Sequence, residues 1–472
     1  MRAPGPGPCY AAAVEARAAS TEVGQYVDPG AYRSIWELGW PVMVNMGAHT
    51  LFSLVDLYWI GALGTNAIAA VSLCGNIMFS MFGLTIIVQS GALAMISRRV
   101  GAGSLEGADG AEGISAQAVH LSILLGIVVA TLGVLTAQPI MAIFDASAEV
   151  TELGTAYLWP MMAGFAPMFP GMALGAIFTA TGDTRTPMYV GVASNLLNGV
   201  LDPFLIFGWS GLPALGVGGA AYASLICQVL GTLALWRLYR DRDMGFPHPH
   251  LLRWYGADAW GRLMRIGVPR GLAALTRPLS TLFLLKVIAT FGPAGVAAFG
   301  ITVRSLSPTW LYQGALITAV STLTGQSLGR KDLDGIRRLV ASSTRMSVLT
   351  SIAIALPYWI WARDIVGIFE KNTLEVLVLG ETFIRLLLLT NLSTAFALIW
   401  SAVMNGAGDT RPPMVLAIAS NWLIKLPLAY ALAIPLGAGV EGIWWAMAAS
   451  ILFENAGLWL WYRRDRWMHA EV

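Results

Sequence analysis

The sequence predicts an all-α polytopic membrane protein of about twelve transmembrane helices, arranged as two six-helix lobes related by pseudo-two-fold symmetry. Three observations predict this fold. The 472 residues are 56% hydrophobic and 12% charged, with a mean hydropathy of +0.65, whereas a soluble domain carries about 25% charged residues. Apolar runs long enough to cross a bilayer recur along the chain. The order of motifs in the first half also recurs in the second half.

The apolar runs are each about 20 residues or longer, which is the length that crosses the hydrocarbon core as a helix. They are continuous, whereas the strands of a membrane barrel would alternate apolar and polar residues. We therefore predict helices and number them as spans 1 to 12. The predicted spans cover about 33–61, 67–96, 114–137, 155–180, 187–207, 215–238, 263–290, 295–324, 343–362, 380–405, 413–435 and 440–462.

The distribution of Lys and Arg predicts the orientation, because cytoplasmic loops carry an excess of these residues. With the N-terminus in the cytoplasm, the opposite side keeps only Arg363 and Lys371 in its loops. We therefore expect a multi-pass protein of the cell inner (plasma) membrane with both termini cytoplasmic. The residues on the inside are Arg98, Arg99, Arg185, Arg237, Arg240, Arg242, Arg253, Arg262, Arg265, Arg330, Lys331, Arg337, Arg338, Arg411, Arg463, Arg464 and Arg466.

The predicted domain organisation follows the two halves of the chain. Residues 1–32 begin with a Pro/Gly-rich run and have no apolar signal segment, so we expect a disordered cytoplasmic tail. Residues 33–238 form the predicted N-lobe with spans 1 to 6, and residues 263–462 form the C-lobe with spans 7 to 12. A cytoplasmic linker of residues 239–262 joins the lobes, and residues 463–472 form a cytoplasmic C-terminal tail.

An internal repeat supports the two lobes. At an offset near 228 residues, LGWP ending at Pro41 matches IGVP ending at Pro269, and TGDTRTPM (181–188) recurs as AGDTRPPM (407–414). Six spans in each half mean that both copies insert with the same orientation, around an axis along the membrane normal. Such a pair encloses a central cavity that can open alternately to each side, and we expect span 1 to bend at Pro41.

These motifs resemble the multidrug and toxic compound extrusion (MATE) family of secondary exporters over residues 33–462. The marks are Pro41 near the start of span 1, LVDLYWIGALG (54–64), the duplicated GDTR loops and NGVLDPFLIFG (198–208). The resemblance implies antiport, in which small organic substrates leave the cell while Na⁺ or H⁺ enters. The closest resemblance is to the DinF-like and archaeal-type branch of the family.

Two acidic residues in the spans of the first half are candidates for ion coupling, because intramembrane acids are rare and costly. Asp56 lies in span 1 and Asp202 in span 5. Asn198 precedes Asp202 by four residues and shares its helix face, while Ala220 and Ser224 lie one turn apart in span 6. Carboxylate, amide, hydroxyl and carbonyl oxygens suit a hard cation such as Na⁺. Two neighbouring carboxylates can instead share a proton, and the sequence leaves Na⁺ and H⁺ both open.

Simpler roles remain for some of these residues. Asp56 lies near a helix end and could face the interface, while Asp202 precedes Pro203 and could stabilise a turn. The resemblance assigns coupling to Asp56, Asn198 and Asp202, with Ser224 at the hydroxyl position. His49 lies one heptad before Asp56, where it could relay protons in the cavity or serve in packing.

The GDTR loops are expected to be structural or gating elements. Gly182 and Gly408 are suited to helix C-termini, and a proline follows each loop at the start of the next helix. Their charged residues lie on the cytoplasmic side, where ion pairs rather than substrate contacts are expected. These residues are Asp183, Arg185, Asp409 and Arg411.

Span 7 of the second half has no acid, and this half carries several intramembrane bases. Arg277 and Lys286 in span 7 are candidates for the wall of the substrate cavity. One interpretation is that the bases reach the membrane interface or pair with Glu441 and Glu454. The other is a basic C-lobe wall, so the alternative function is a flippase or exporter of an anionic or lipid-linked metabolite. The other bases are Arg270, Arg304, Arg385 and Lys425.

Other functional classes are disfavoured. The chain has no Walker A loop, HExxH or GxSxG motif, so an enzyme and ATP-driven transport by this chain alone are excluded. Duplicated lobes favour alternating access over a channel. Known flippases of lipid-linked precursors have additional spans. We therefore expect a monomeric secondary transporter in the lipid bilayer, with no cofactor besides the coupling ion and no nucleic-acid partner.

Overall fold

The computed structural model describes residues 28, 30–144, 146–211, 213–241, 255–371 and 373–470. Most of the predicted N-terminal tail, the central part of the predicted inter-lobe linker and the last two residues therefore lie outside the described residues. The side chains of Asn76 and Phe79 are likewise not described.

Across these ranges the chain forms helices joined by short loops, which confirms the all-α prediction. Twelve helical units, α1 to α12, follow the twelve predicted spans in order. A short helix, Ala362–Phe369, connects α9 to α10. The units are α1 (Tyr32–Gly61), α2 (Thr65–Gly101), α3 (Ala111–Ala142), α4 (Ala148–Ala163 and Phe165–Thr181), α5 (Arg185–Phe207), α6 (Val217–Asp241), α7 (Asp258–Ala289), α8 (Pro293–Ser305 and Ser307–Gly329), α9 (Leu333–Ile360), α10 (Leu374–Ala407), α11 (Arg411–Ala433) and α12 (Gly439–Tyr462).

Length and apolar composition alone identify fewer spans than these twelve units. Among the described residues, 8 helices pass that test, or 9 when the bent α4 is counted. The units that fall short are α1, α8 and α12. Polar residues such as Asp56 in α1 and Glu454 in α12 interrupt their apolar runs, and α8 is broken at Leu306. Helices with interrupted apolar faces are those expected to line a polar interior.

Helix α4 begins earlier than predicted and is bent. Its first segment starts at Ala148, where the side chain of Ser147 accepts a hydrogen bond from the amide of Val150 and so satisfies one free N–H group. The two segments meet at Gly164 with a bend of 41°. Gly164 lies against the side chain of Gln228 in α6, since a Cβ at Gly164 would lie 2.5 Å from Oε1 of Gln228.

Both GDTR loops begin with glycine in the left-handed conformation, as the sequence predicts. Gly182 ends α4 with φ +100°, and Gly408 ends α10 with φ +85°. This region is disfavoured for residues with a Cβ, so glycine stops each helix at that point.

The largest apolar core is centred in the N-lobe and also includes Ala259, Leu263 and Ile266 of α7. In the N-lobe, α2, α3, α4 and α6 pack around a large cluster of buried aliphatic and aromatic residues. In the C-lobe, three stacked aromatic rings join α8, α10 and α12. The ring centroids of Phe383 and Trp444 are 4.0 Å apart, and Phe299 stacks on Phe383 at 5.8 Å. This stack fixes the three helices relative to one another.

The lobes meet at the end of the bundle where α1 and α7 begin and where α2 and α8 end. We call it the basic end, because Arg98, Arg99, Arg262 and Arg330 lie there. Glycines bring the backbones of the two lobes into direct contact along this seam. A Cβ at Gly267 of α7 would overlap the carbonyl of Ile87 in α2. Similar overlaps would follow at Gly101 with Gln326 and at Gly329 with Arg98.

Hydrogen bonds reinforce the seam at the basic end. The side chain of Gln326 in α8 donates to the carbonyl of Ala180 in α4 at 2.8 Å. Oε1 of Gln117 in α3 accepts from the amide of Ala259 in α7, also at 2.8 Å. Farther from this end, the first segment of α8 packs against α7, α10 and the short connecting helix of its own lobe. The described lobes are thus closed at the basic end and have a cleft between their other halves.

Candidate functional site

The acids of the N-lobe lie where α1, α5 and α6 pack together. Asp202 in α5 is 1% exposed. One turn before it, Nδ2 of Asn198 lies 3.5 Å from Oδ1 of Asp202 and 3.3 Å from Oγ of Ser224 in α6. The structure therefore joins three of the predicted coupling residues in one polar cluster.

Asp56 reaches the same cluster from α1. Its Oδ1 atom is buried and has no hydrogen-bond partner among the described residues. The carboxyl group is close enough to Asp202 for the two charges to interact. The approach of α1 to α5 depends on Gly199, since a Cβ there would lie 3.0 Å from the ring of Phe52. The glycine after Asn198 thus lets the two acidic helices pack closely.

Ala220 and Ser224 are placed by a second close helix contact. A Cβ at Gly219 would overlap the carbonyl of Leu205 in α5, so the start of α6 lies against the backbone of α5. Ala220 is 1% exposed and lies one turn before Ser224 in α6. Its carbonyl oxygen is part of the helix, whereas Ser224 presents a side-chain oxygen to Asn198.

Tyr157 of α4 belongs to the same region, and sequence reasoning did not identify it. The side chain is 6% exposed and lies within range of the charges of both Asp56 and Asp202. The only signal in the sequence is a phenol hydroxyl inside an apolar span. Tyrosine is also common at membrane interfaces, so this signal could not single it out.

The cluster contains two carboxyl groups and no counter-charge among the described residues. Neither Asp56 nor Asp202 forms an ion pair there. An isolated buried carboxylate costs several kcal/mol of desolvation, so the site favours either a bound cation or protonation. The oxygen donors fit Na⁺. No group of three or more His, Cys, Asp or Glu residues, the pattern of a divalent-metal site, occurs in the described part of the chain.

His49 lies one heptad before Asp56 on α1 and therefore shares its face. The side chain is exposed and makes no hydrogen bond to a described residue. The structure thus places His49 about two turns nearer to the basic end than Asp56 and does not bond it to the acidic cluster.

The C-lobe carries a separate polar cluster. Nη2 of Arg277 in α7 forms an ion pair with Oε1 of Glu454 in α12 at 2.7 Å. Nζ of Lys425 donates to Oγ of Ser280 and to Oδ1 of Asn421, both at 2.7 Å. Lys425 is 6% exposed and ends a π-helical segment, Ala419–Lys425, inside α11. A π-helical turn of this kind is often found at functional sites, and no pattern in the sequence predicted it.

Lys286 is not part of this cluster. It lies in the last turn of α7, is exposed, and follows the exposed residues Leu282 and Phe283 by about one turn. The structure therefore does not bring Lys286 together with Arg277. Arg277 and Lys286 thus lie on the same helix in different surroundings.

The residues of the GDTR loops lie at the basic end. Oδ1 of Asp183 accepts a hydrogen bond from the amide of Thr186 at 2.9 Å, which caps the start of α5. The guanidinium of Arg185 lies 5.9 Å from the ring centre of Trp40, a cation–π contact that joins α5 to α1. Pro41, next to this tryptophan, is buried within α1, which continues through it as a helix.

The second loop has a different arrangement. Burial raises the pKa of Asp409 above its usual value, and the positive charge of Arg411 opposes that rise. Oγ1 of Thr410 between them donates to the carbonyl of Ile266 at 2.6 Å, which attaches this loop to α7. Both loops thus connect the first turn of the following helix to another helix of their own lobe.

Known proteins resemble this chain over almost its whole length. The MatE family model matches residues 41–204 and 269–431. The probable multidrug resistance protein YoeA of Bacillus subtilis is 25% identical over 420 residues, covering 88% of this chain and 90% of the relative. A FAD transporter of Shewanella oneidensis is 24% identical over 413 residues, covering 87% and 89%.

A solved structure has the same fold. It is the outward-facing conformation of a multidrug resistance MATE family transporter of the MOP superfamily. The TM-score is 0.83 at 24% identity, with 93% of this chain and 96% of the other covered. The two segments of the family match begin at Pro41 and Pro269, so they follow the repeat found in the sequence.

Proposed function

Because the chain belongs to the MatE family of multidrug efflux transporters, we propose that it exports small organic compounds by antiport with Na⁺ or H⁺. The cation binds at Asp56, Asn198 and Asp202 in the N-lobe, with Ser224 and the carbonyl of Ala220 as further oxygen donors. Exchange proceeds by alternating access of the cleft between the lobes.

The observation that carries this proposal is the buried, unpartnered Oδ1 of Asp56 next to Asp202. Two carboxyl groups without a counter-ion are stable together only when a cation or proton is bound. Binding therefore changes the energy of the packing among α1, α5 and α6. A ligand that binds one conformation more tightly shifts the equilibrium toward it, which is the physical basis for coupling ion entry to substrate exit.

The remaining assignments are part of the proposal. The excess of Lys and Arg at the basic end supports a cytoplasmic location for that end and for both termini, in the cell inner membrane. With this orientation the cleft opens to the outside. The division into tail, N-lobe, linker, C-lobe and tail at residues 32, 238, 262 and 462, a monomeric state and membership of the DinF-like branch likewise remain proposals.

The test is transport by the purified protein in proteoliposomes, with Na⁺ and pH gradients imposed separately and ethidium as the fluorescent substrate. We expect Asp56→Asn to lose at least 90% of gradient-driven efflux, because one of two neighbouring charges disappears. The matched control is Asp364→Asn, which removes an exposed acid from the short helix Ala362–Phe369. Thermal unfolding of both variants should match that of the wild type. Undiminished efflux by Asp56→Asn would refute the coupling site.

A second candidate function is export or flipping of an anionic or lipid-linked metabolite. The buried Lys425 and the pair of Arg277 with Glu454 favour it, because this C-lobe cluster has two bases and one acid. A relative 24% identical to this chain is a FAD transporter, and FAD carries phosphate groups. Separate efflux assays with an anionic and a cationic dye distinguish the two candidates.

A further inference from the structure

Arg270 is an unpaired cation in the interior of the protein. It is partly buried in α7 and forms neither an ion pair nor a hydrogen bond with any described residue. A desolvated guanidinium without a partner is energetically unfavourable. Arg270 therefore differs from Arg277, which has Glu454, and from Arg185, which has the ring of Trp40.

Arg270 lies beside the seam between α2 and α7. Its neighbour Gly271 contacts Ile87 of α2, and Gly267 one turn earlier contacts the same residue. The close contact of the two helices continues to Gly83 of α2 and Leu275 of α7, so Arg270 lies on the flank of α7 beside this seam. Arg277 follows two turns later, about 10 Å farther along the helix axis, and seven-residue spacing places both on one face.

Arg277 keeps free hydrogen-bond donors despite its ion pair. Only its Nη2 contacts Glu454, and 67% of its side chain is exposed. A guanidinium has five N–H donors in a planar fork that fits carboxylate and phosphate groups. The two arginines are close enough for their charges to interact.

Lys425 adds positive charge behind this pair. Its ammonium group is hydrogen-bonded to Ser280 and Asn421, which are both neutral. Three bases, Arg270, Arg277 and Lys425, therefore face one acid, Glu454, which leaves a net charge of +2 (three minus one) in this cluster.

We propose that Arg270 and Arg277 form a binding site for the carboxylate or phosphate group of a small organic anion or zwitterion. This site rests on the proposed export function for its role, since the ligand would be the exported substrate. The anion occupies the free donors of Arg277 and neutralises Arg270, while Lys425 raises the positive potential without contacting the ligand.

The site is tested by equilibrium binding without any ion gradient, so that the result does not depend on antiport. The probes are 6-carboxyfluorescein and rhodamine 123, which share a xanthene ring system and differ in charge. Fluorescence polarisation is measured on the full-length protein in phosphatidylcholine nanodiscs. The variants are Arg270→Gln, Arg277→Gln and, as a matched control, Lys286→Gln, which removes a base from the same helix outside the pair.

We expect Arg270→Gln to weaken 6-carboxyfluorescein binding about tenfold or more, as loss of a charge-assisted contact does. Arg270→Lys should recover part of the affinity, and Lys286→Gln should bind like the wild type. Rhodamine 123 should bind no more weakly to the Gln variants than to the wild type. Equal loss for both dyes, or no loss for the anionic dye, would overturn the proposal.

An anionic lipid headgroup carries the same phosphate chemistry, and a second arm separates it from a soluble substrate. Binding is repeated in nanodiscs that contain phosphatidylglycerol. If phosphatidylglycerol leaves the 6-carboxyfluorescein affinity unchanged, the substrate site is supported. If phosphatidylglycerol competes with the dye in the wild type but not in Arg270→Gln, the site binds lipid and the proposal is overturned. Asp56→Asn should keep wild-type dye binding. If the coupling site is wrong, Asp56→Asn keeps both efflux and dye binding. If the anion site is wrong, Arg270→Gln binds 6-carboxyfluorescein as tightly as the wild type.

Discussion

Gly267→Ala should open the seam at the basic end. The added Cβ would overlap the carbonyl of Ile87, which belongs to the backbone of α2 and cannot rotate away as a side chain could. The overlap exists only while α7 lies against α2. The variant therefore disfavours the closed conformation of this end relative to the conformation in which the lobes separate there.

The size of the effect follows from known packing costs. One added methyl group in a tightly packed contact costs about 1–3 kcal/mol. Alanine also favours the helix by about 1 kcal/mol over glycine, but it does so in both conformations, so this contribution cancels. The equilibrium between closed and separated lobes should therefore shift by about fivefold to 150-fold.

The assay is a distance measurement between spin labels on the two lobes. Glu106 and Lys331 are exposed in loops at the basic end and accept cysteine substitution, in a background from which the native cysteines are removed. Pulsed electron–electron double resonance should show a larger population of long distances between the two spin labels in Gly267→Ala than in the wild type. The control is Gly261→Ala on the same helix, where an added Cβ has nothing within 4 Å. An unchanged distance distribution, or an equal change in the control, would refute the role of the seam.

Three further variants test other contacts. Phe383→Ala removes one ring of the aromatic stack and should destabilise the C-lobe by about 3–5 kcal/mol. The thermal unfolding temperature should fall, and an unchanged value would show that the stack contributes little. Arg277→Ala should lower stability by about 1–3 kcal/mol because Glu454 loses its charged partner. Adding Glu454→Gln to Arg277→Ala should restore most of the lost stability. A double variant no more stable than Arg277→Ala would contradict the ion pair of Arg277 with Glu454. Trp467→Ala empties a buried position after α12 and should also lower the unfolding temperature, which an exposed-site control such as Trp445→Ala should not do.

The sequence predicts most of the fold because the bilayer restricts the choices. A chain that crosses hydrocarbon must satisfy its backbone internally, so long apolar runs can only be helices, and the helices found here follow the predicted spans. The bend of α4 at Gly164 lies between Pro160 and Pro167, where a helix commonly kinks, and we predicted one span there without a bend. The contact of Gln228 in α6 with Gly164 exists only in three dimensions and could not be predicted.

The sequence also brings out the main residues of the N-lobe cluster, for two physical reasons. Acids in apolar spans are rare enough to be noticed, and four-residue spacing fixes Asn198 and Asp202 on one face. Tyr157 was missed because a tyrosine in a span has many ordinary roles. In the C-lobe, the spacing of Arg277 and Lys286 could not say which base faces the cleft. The contacts of Lys425 depend on a local π-helical turn that no periodicity reveals.

The unequal distribution of charge between the lobes creates an electric field across the cleft, directed from the C-lobe to the N-lobe. Unpaired carboxyl groups lie in the N-lobe wall, and surplus guanidinium and ammonium groups lie in the C-lobe wall. Under the proposed function, a zwitterion in the cleft is aligned with its positive end toward α1 and α5, and ion and anion bind at opposite sides. The proposed exchange would then be carried by movement of the lobes.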